Sequence, residues 1–194
     1  MPSLSEGERQ DLLHLALQAV SEAVSRSQIL TDIPSGGIFS QRRGVFVALH
    51  VGKRLRGCIG VVEPQEPLGD SVVRCAASAA LQDSRFPAVR SDELSDVRVE
   101  ISLLSPPFPI RLEEIEIGRH GLLISRGRQR GLLLPQVAVG HHLSAEQFLT
   151  ETCGKAQLPP DAWRDADTNI CGFTCEIFSG GPPAIDSSAE EKMR

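Results

Sequence analysis

Two apolar runs separated by a tight turn constrain the fold of this chain more than any other feature. Residues 44–51 (GVFVALHV) and 55–62 (LRGCIGVV) are apolar and rich in β-branched side chains, and Gly52 and Lys53 stand between them. Two such runs on either side of a glycine-containing turn predict a β-hairpin. The first constraint on the fold is therefore an antiparallel pair of strands.

Helical patterns flank this hairpin. Ser5 and Glu8 have the spacing of a capping box, and apolar residues then recur at steps of three and four to about Ser25. Residues 68–82 repeat Ala, Val and Leu at the same spacing, which predicts a second helix. Each of these helices has an apolar stripe that must pack against another element.

The second half of the chain predicts further strands and one more helix. Residues 97–104 alternate between apolar and polar side chains, and a second hairpin is expected around the polar turn at 126–130. A helix is expected to follow Ser144 and to stop at Gly154, a residue suited to a left-handed C-cap. A last strand is predicted over 170–178, with one face formed by Cys171, Phe173, Cys175 and Ile177.

The mixture of hairpins and helices predicts an α+β fold, with mainly antiparallel sheets and flanking helices. At 194 residues the chain can bury one sizeable core. We expect a single domain over residues 1–179. Residues 180–194 are polar and rich in Pro and Gly, and we expect them to form a mobile tail.

Composition argues against several classes of function. The chain carries 20 Lys and Arg against 25 Asp and Glu, and it has no Tyr, so nucleic-acid binding is disfavoured. No apolar run approaches the ~20 residues that a membrane span needs. Glu6 and Glu8 stand where a secretory signal would be basic and then apolar, so we expect a cytoplasmic protein whose five cysteines are reduced.

Residues 55–60 (LRGCIG) form the first candidate site. Gly57 and Gly60 bracket Cys58, and glycine within a strand suggests that the backbone bends or that something approaches closely, which makes the segment a candidate site. If Arg56 lies on the same face as Cys58, its guanidinium would favour the thiolate, which is the reactive form. The alternative is that Cys58 is a small hydrophobic residue of the core.

Three other residues are candidates for chemistry. Asp83 and Arg85 follow the second helix and either simply end it or line a cleft, where the guanidinium would bind a carboxylate or phosphate. His120 stands between Gly118 and Gly121 and is either a general base or an ordinary turn histidine.

Cofactor and metal signatures are missing from the sequence. The chain has no dinucleotide-binding glycine motif, phosphate-binding loop, nucleophile elbow or zinc-protease helix. Cys171 and Cys175 are assigned to the core, and no histidine has metal-ligand spacing. The sequence therefore names no cofactor and predicts no metal site.

Six ordered segments carry a resemblance to a known family. They are LRGCIG at 55–60, GVFVALH at 44–50, DSRFP at 83–87, VEISLLS at 99–105, GRHGLLI at 118–124 and LLLPQVA at 132–138. With them, roughly residues 8–178 resemble the AMMECR domain family, whose bacterial and archaeal members are called AmmeMemoRadiSam system protein A. The chain departs from the usual family pattern at Ala88, at His142 and Leu143, and at Gln157.

The resemblance implies an α+β fold with a larger and a smaller lobe, and a groove that residues 55–60 help to line. It also implies partner proteins, because the family name records association with a Memo-like protein and with a radical S-adenosylmethionine enzyme. It does not imply a defined reaction, but it favours a functional role for Arg56 and Cys58.

Two hypotheses about function follow. In the first, the protein is a cytosolic enzyme or enzyme component acting on a small anionic substrate or a peptide. Cys58 is then the nucleophile or a thiolate ligand with a lowered pKa, Arg56 and Arg85 are anion clamps, His120 is an acid or base, and Asp83 orients its neighbours.

In the second hypothesis the protein is a non-catalytic binding or regulatory module. It would present the groove at residues 55–60 to a peptide, a metabolite or a partner enzyme. A third hypothesis, nucleic-acid binding through the arginines, is disfavoured by the acidic net charge of −5.

Overall fold

The structure, a computed structural model, describes residues 3–181 and divides the chain into two units. The first unit runs to Leu103 and resumes at Glu176, and the second unit is Leu104–Cys175. Both units combine helices with antiparallel strands, so the α+β class is confirmed. The mobile tail expected at residues 180–194 lies, from residue 182 onward, outside the described residues.

The first unit is built from two helices and a small sheet. Its elements are α1 (Glu6–Arg26), β1 (Val45–Val51), β2 (Arg54–Val61), α2 (Leu68–Leu81) and β3 (Val97–Leu104), with short 3-10 helices at Gly37–Ser40 and Ser91–Asp96. The strand order is β2-β1-β3, and both pairings are antiparallel. The predicted first hairpin is therefore confirmed, and β2 lies at the edge of the sheet.

The core of this unit lies where the helices meet the strands. Helix α2 contacts α1 as well as β1 and β2. Leu15 of α1, Val72 of α2 and Ile101 of β3 are all essentially inaccessible to solvent. The capping box predicted at the start of α1 is present, with the Glu8 carboxylate accepting from the Ser5 amide at 2.9 Å.

The second unit packs helices against a second hairpin. Its elements are β4 (Phe108–Pro109), β5 (His120–Arg126), β6 (Gln129–Leu133), α3 (Pro135–Gly140), α4 (Ala145–Lys155) and the larger part of β7 (Asn169–Gly180), with 3-10 helices at Leu112–Glu114 and Ala162–Arg164. Strand β5 pairs antiparallel with β6 and with β7, and β4 pairs with β7. Buried Leu122 of β5 and Phe148 of α4 belong to the core of this unit.

The expected end of α4 is wrong. Gly154 is helical, the helix runs to Lys155, and the left-handed residue is Gln157 with φ 58°. The amide of Leu158 reaches back to the carbonyl of Cys153 at 2.9 Å, and that bond closes the helix end beyond the glycine.

The expected face of the last strand is also only partly right. Phe173 is fully buried, but Ile177 is 45% exposed, and Phe178 is buried in its place. The strand belongs to the first unit from Glu176 onward, and the core of that unit takes up Phe178.

Candidate functional site

The outer edge of β2 is occupied at Cys58 by two side chains. The Cys58 amide donates to Oδ2 of Asp83 at 2.8 Å, and the Cys58 carbonyl accepts from Nη2 of Arg85 at 2.8 Å. The N–H and C=O of one strand residue point to the same side, which is where a neighbouring strand would bind. Asp83 and Arg85 therefore take the place of a strand at this point and protect the edge from pairing.

Asp83 is the buried centre of this arrangement. It follows the end of α2, its side chain is only 4% exposed, and its carboxylate accepts from Nε of Arg85 at 2.8 Å and from Nη2 at 2.6 Å. These bonds from Arg85, together with the bond from the Cys58 amide, hold the pKa of Asp83 well below its usual range, although burial opposes them. The carboxylate is therefore charged at neutral pH.

Arg85 is held in place and yet remains accessible. Its side chain is 58% exposed although Nε and Nη2 are both bound, and its guanidinium lies 5.4 Å from the ring centre of Phe86. Nη1 takes no part in the bonds to Asp83 and to the Cys58 carbonyl. The surface here presents a fixed guanidinium while the carboxylate that holds it is buried.

The thiol of Cys58 does not behave as expected. Burial raises the pKa of Cys58, and the opposing effect of the Arg85 charge is smaller. Asp83 and Glu100 raise the pKa further. The expectation of a lowered pKa is therefore wrong, because a half-buried thiol beside two carboxylates disfavours the thiolate.

Arg56 is turned to a different partner. The register of β1 and β2 pairs Leu49 with Gly57 and His50 with Leu55, so Arg56 is the extra residue of a β-bulge. Its guanidinium binds the carboxylate of Glu93 at 2.8 Å and 3.2 Å. It is Arg85, and not Arg56, whose positive charge acts on the Cys58 thiol.

The close approach expected at the two glycines of β2 comes from the protein itself. A Cβ on Gly57 would lie 1.9 Å from the carbonyl oxygen of Ala79 in α2. A Cβ on Gly60 would lie 2.3 Å from the ring of Phe46, which faces it across the hairpin. Packing of the helix and of the aromatic ring thus accounts for both glycines.

His120 belongs to the second unit. It is buried as the first residue of β5, and its Nδ1 accepts from the amide of Glu116 at 3.1 Å. Its ring meets Phe108 edge to face at a centroid distance of 5.7 Å. The hydrogen bonds that join Cys58, Asp83 and Arg85 lie within the first unit and do not involve His120.

Sequence reasoning missed two neighbours of the site. Glu93 pairs with Arg56 across 37 positions of sequence, and no local pattern signals that contact. Phe86 lies directly after Arg85, but the sequence does not show that its ring will lie beside the guanidinium.

The described part of the chain holds neither a metal-ligand cluster nor a membrane-spanning helix. Among residues 3–181, no three His, Cys, Asp or Glu side chains are placed to hold a metal ion. No helix in that range is long and apolar enough to cross a membrane.

Fold and site together describe an α+β protein whose sheet edge is closed by an acid–arginine pair. The AMMECR1 family model matches residues 13–178, and the chain belongs to that family. The resemblance drawn from the six sequence segments is therefore confirmed.

Relatives from archaea match nearly the whole chain. A protein of Methanothermobacter thermautotrophicus is 45% identical over 185 residues, which cover 90% of this chain and 95% of the relative. Protein TK0174 of Thermococcus kodakarensis is 42% identical over 181 residues, covering 86% and 87%.

A solved structure has the same fold. The crystal structure of the uncharacterized protein PH0010 from Pyrococcus horikoshii aligns with a TM-score of 0.85 at 37% sequence identity, covering 92% of this chain and 96% of that one.

Proposed function

We propose that this protein is a non-catalytic binding module, and that its site at the edge of β2 binds a carboxylate through Arg85. The observation that carries the proposal is the state of the Arg85 guanidinium. Asp83 and the Cys58 carbonyl fix it in one orientation, while its side chain stays 58% exposed. A guanidinium fixed before binding loses little conformational freedom when a ligand arrives.

The charge distribution supports an anionic ligand. The buried Asp83 carboxylate accepts hydrogen bonds from N–H groups of Cys58 and Arg85, whereas the Arg85 guanidinium reaches the solvent. Carboxylates and phosphates are the usual partners of an arginine in this position. The ring of Phe86 beside the guanidinium favours a carboxylate attached to an apolar group, in a small molecule or in a peptide.

The state of Cys58 favours binding over covalent chemistry. A cysteine nucleophile needs a substantial thiolate fraction, and a raised pKa reduces that fraction at neutral pH. In this proposal the main chain of Cys58 anchors Arg85, and its thiol takes no part in a reaction.

Phenylacetate, which joins a carboxylate to an aromatic ring, is the probe for this site. We expect saturable shifts of the residue 55–60 and 83–87 amides in NMR spectra of the full chain. Arg85→Gln should weaken binding at least tenfold, Arg85→Lys should weaken it less, and Cys58→Ser should retain it. Arg90→Gln is the matched control, because Arg90 is an exposed arginine that pairs with Asp92 two residues away, as Arg85 pairs with Asp83.

Two results would overturn the proposal. One is phenylacetate binding that is equal in wild type and Arg85→Gln, or absent from both. The other is loss of binding in Cys58→Ser with retention of binding in Arg85→Gln. That result would mean that the ligand requires the Cys58 thiol and not the Arg85 guanidinium.

We further propose that the module acts with the Memo-like protein and the radical S-adenosylmethionine enzyme that the family resemblance names. Charge reversal at Arg85 or Arg56 should then abolish co-purification with these partners, while Cys58→Ser should preserve it. Co-purification that is unaffected by both charge reversals would contradict a role for this surface in the association.

A further inference from the structure

The second unit contains a cavity that the proposed function does not use. It has a volume of about 530 Å³ and lies between α3, the loop after it and α4. Leu133, Val137 and Leu143 give it an apolar lining. This volume and lining are within the usual range of small-molecule sites, which run from roughly 300 to 1,000 Å³.

Gly154 keeps one wall of the cavity open. It lies in the last turn of α4, and nothing is found within 4 Å of the position that a Cβ would occupy. Glycine within a helix costs up to about 1 kcal/mol relative to alanine. At Gly57 the packing of α2 leaves no space for a side chain, but no protein atom occupies that space at Gly154. Gly154 therefore leaves room for a ligand.

Opposite charges stand one helical turn apart on the same wall. Glu151 and Lys155 both line the cavity and are both exposed. A Glu and a Lys at this spacing can pair with each other. Within residues 3–181, however, neither forms an ion pair, so each can meet a group of opposite charge on a ligand.

We propose that this cavity binds a short apolar peptide with both termini free. The peptide carboxylate meets Lys155, its ammonium group meets Glu151, and its side chains lie against Leu133, Val137 and Leu143. Both charges and the apolar lining are then used, which neither a simple fatty acid nor an amine would achieve.

Calorimetry with the full chain and L-leucyl-L-leucine tests the site. We expect binding of this dipeptide, and at least tenfold weaker binding of both N-acetyl-leucyl-leucine and leucyl-leucinamide, each of which lacks one terminal charge. Gly154→Leu should abolish binding because its side chain enters the cavity, and it should melt no lower than wild type. Gly7→Leu is the matched control: Gly7 also has open space around it, lies in α1, and should leave binding unchanged.

Charge variants keep the test independent of any folding defect. Lys155→Met should remove the preference for the dipeptide over its amide, and Glu151→Gln should remove the preference over the N-acetyl form. Arg85→Gln should leave dipeptide binding unchanged, which separates this cavity from the site on β2. Absence of dipeptide binding, equal affinity for the three peptides, or binding that survives Gly154→Leu would overturn the proposal.

Discussion

Glycines on β2 and on α4 occupy opposite environments. At Gly57 and Gly60 the space for a side chain is already filled, by the carbonyl of Ala79 and by the ring of Phe46. At Gly154 the same space is empty and opens into a cavity. In the sequence, Gly57 and Gly60 on either side of Cys58 indicate a candidate site, whereas Gly154 near the end of a helix indicates only a helix cap.

The difference shows what a glycine in a sequence can indicate. Residue identity shows that a side chain is missing, but not whether protein atoms or open space lie where it would be. Only the packing of α2 on β2, and of α3 near α4, decides between these cases. Gly57 and Gly60 allow the close packing that stabilises the fold. Gly154, in contrast, lowers helix stability and leaves room for a ligand.

The largest expected effect comes from Gly57→Ala. The new methyl group would fall 1.9 Å from a backbone oxygen of α2, and neither the helix nor the strand can move freely. We expect a loss of about 3 kcal/mol or more in the free energy of unfolding, at the upper end for overpacking. Urea unfolding measures it, with Gly7→Ala in α1, where nothing lies within 4 Å of the new methyl group, as a control for glycine replacement outside the packed contact. A loss below about 1 kcal/mol would mean that β2 and α2 are less tightly packed than described.

Asp83→Asn should have the next largest effect, and it should depend on pH. Removing the charge weakens the bonds to Arg85 and Cys58, at a cost of about 2 kcal/mol. Because the folded state lowers the pKa of Asp83, its contribution is complete above the unfolded pKa of about 4 and declines as the pH falls below it. The unfolding free energies of wild type and of Asp83→Asn, measured from neutral to acidic pH, should therefore converge in acid. A gap that is constant with pH would contradict a charged Asp83.

Gly154→Ala should have the smallest effect and the opposite sign. A methyl group in open space at a helical position should stabilise the protein by about 0.5–1 kcal/mol. Thermal unfolding of Gly154→Ala and of Gly57→Ala, each measured against wild type, compares the two changes in stability directly. Destabilisation by Gly154→Ala would show that the space around this residue is filled.

Local sequence patterns predicted most of the secondary structure. The capping box of α1, both hairpins and the alternating strand β3 follow from residue spacing, because each depends on neighbours a few positions apart. Helix α3 was missed although Pro135 occupies its first turn, a position that favours proline. Strand β4 was missed because its two residues include Pro109 in a proline-rich segment.

The site was less predictable because its contacts are distant in sequence. Cys58 and Asp83 were both candidates, but their hydrogen bond spans 25 positions, and nothing local reveals it. The bulge at Arg56 likewise depends on the register with β1, and it defeats the simple expectation that Arg56 controls the cysteine. The sign of the pKa shift at Cys58 depends on burial, which the sequence of a half-buried edge strand does not disclose.

The most direct test of the account is the pH dependence of Cys58 alkylation. Iodoacetamide labelling with peptide mass mapping separates Cys58 from the other four cysteines, of which Cys75 and Cys153 are buried. We expect the rate at Cys58 to keep rising through the ordinary thiol pKa of about 8.5, with a midpoint above it. A rate that reaches its plateau near neutral pH would reveal a thiolate, contradict the non-catalytic account and favour an enzyme built on Cys58.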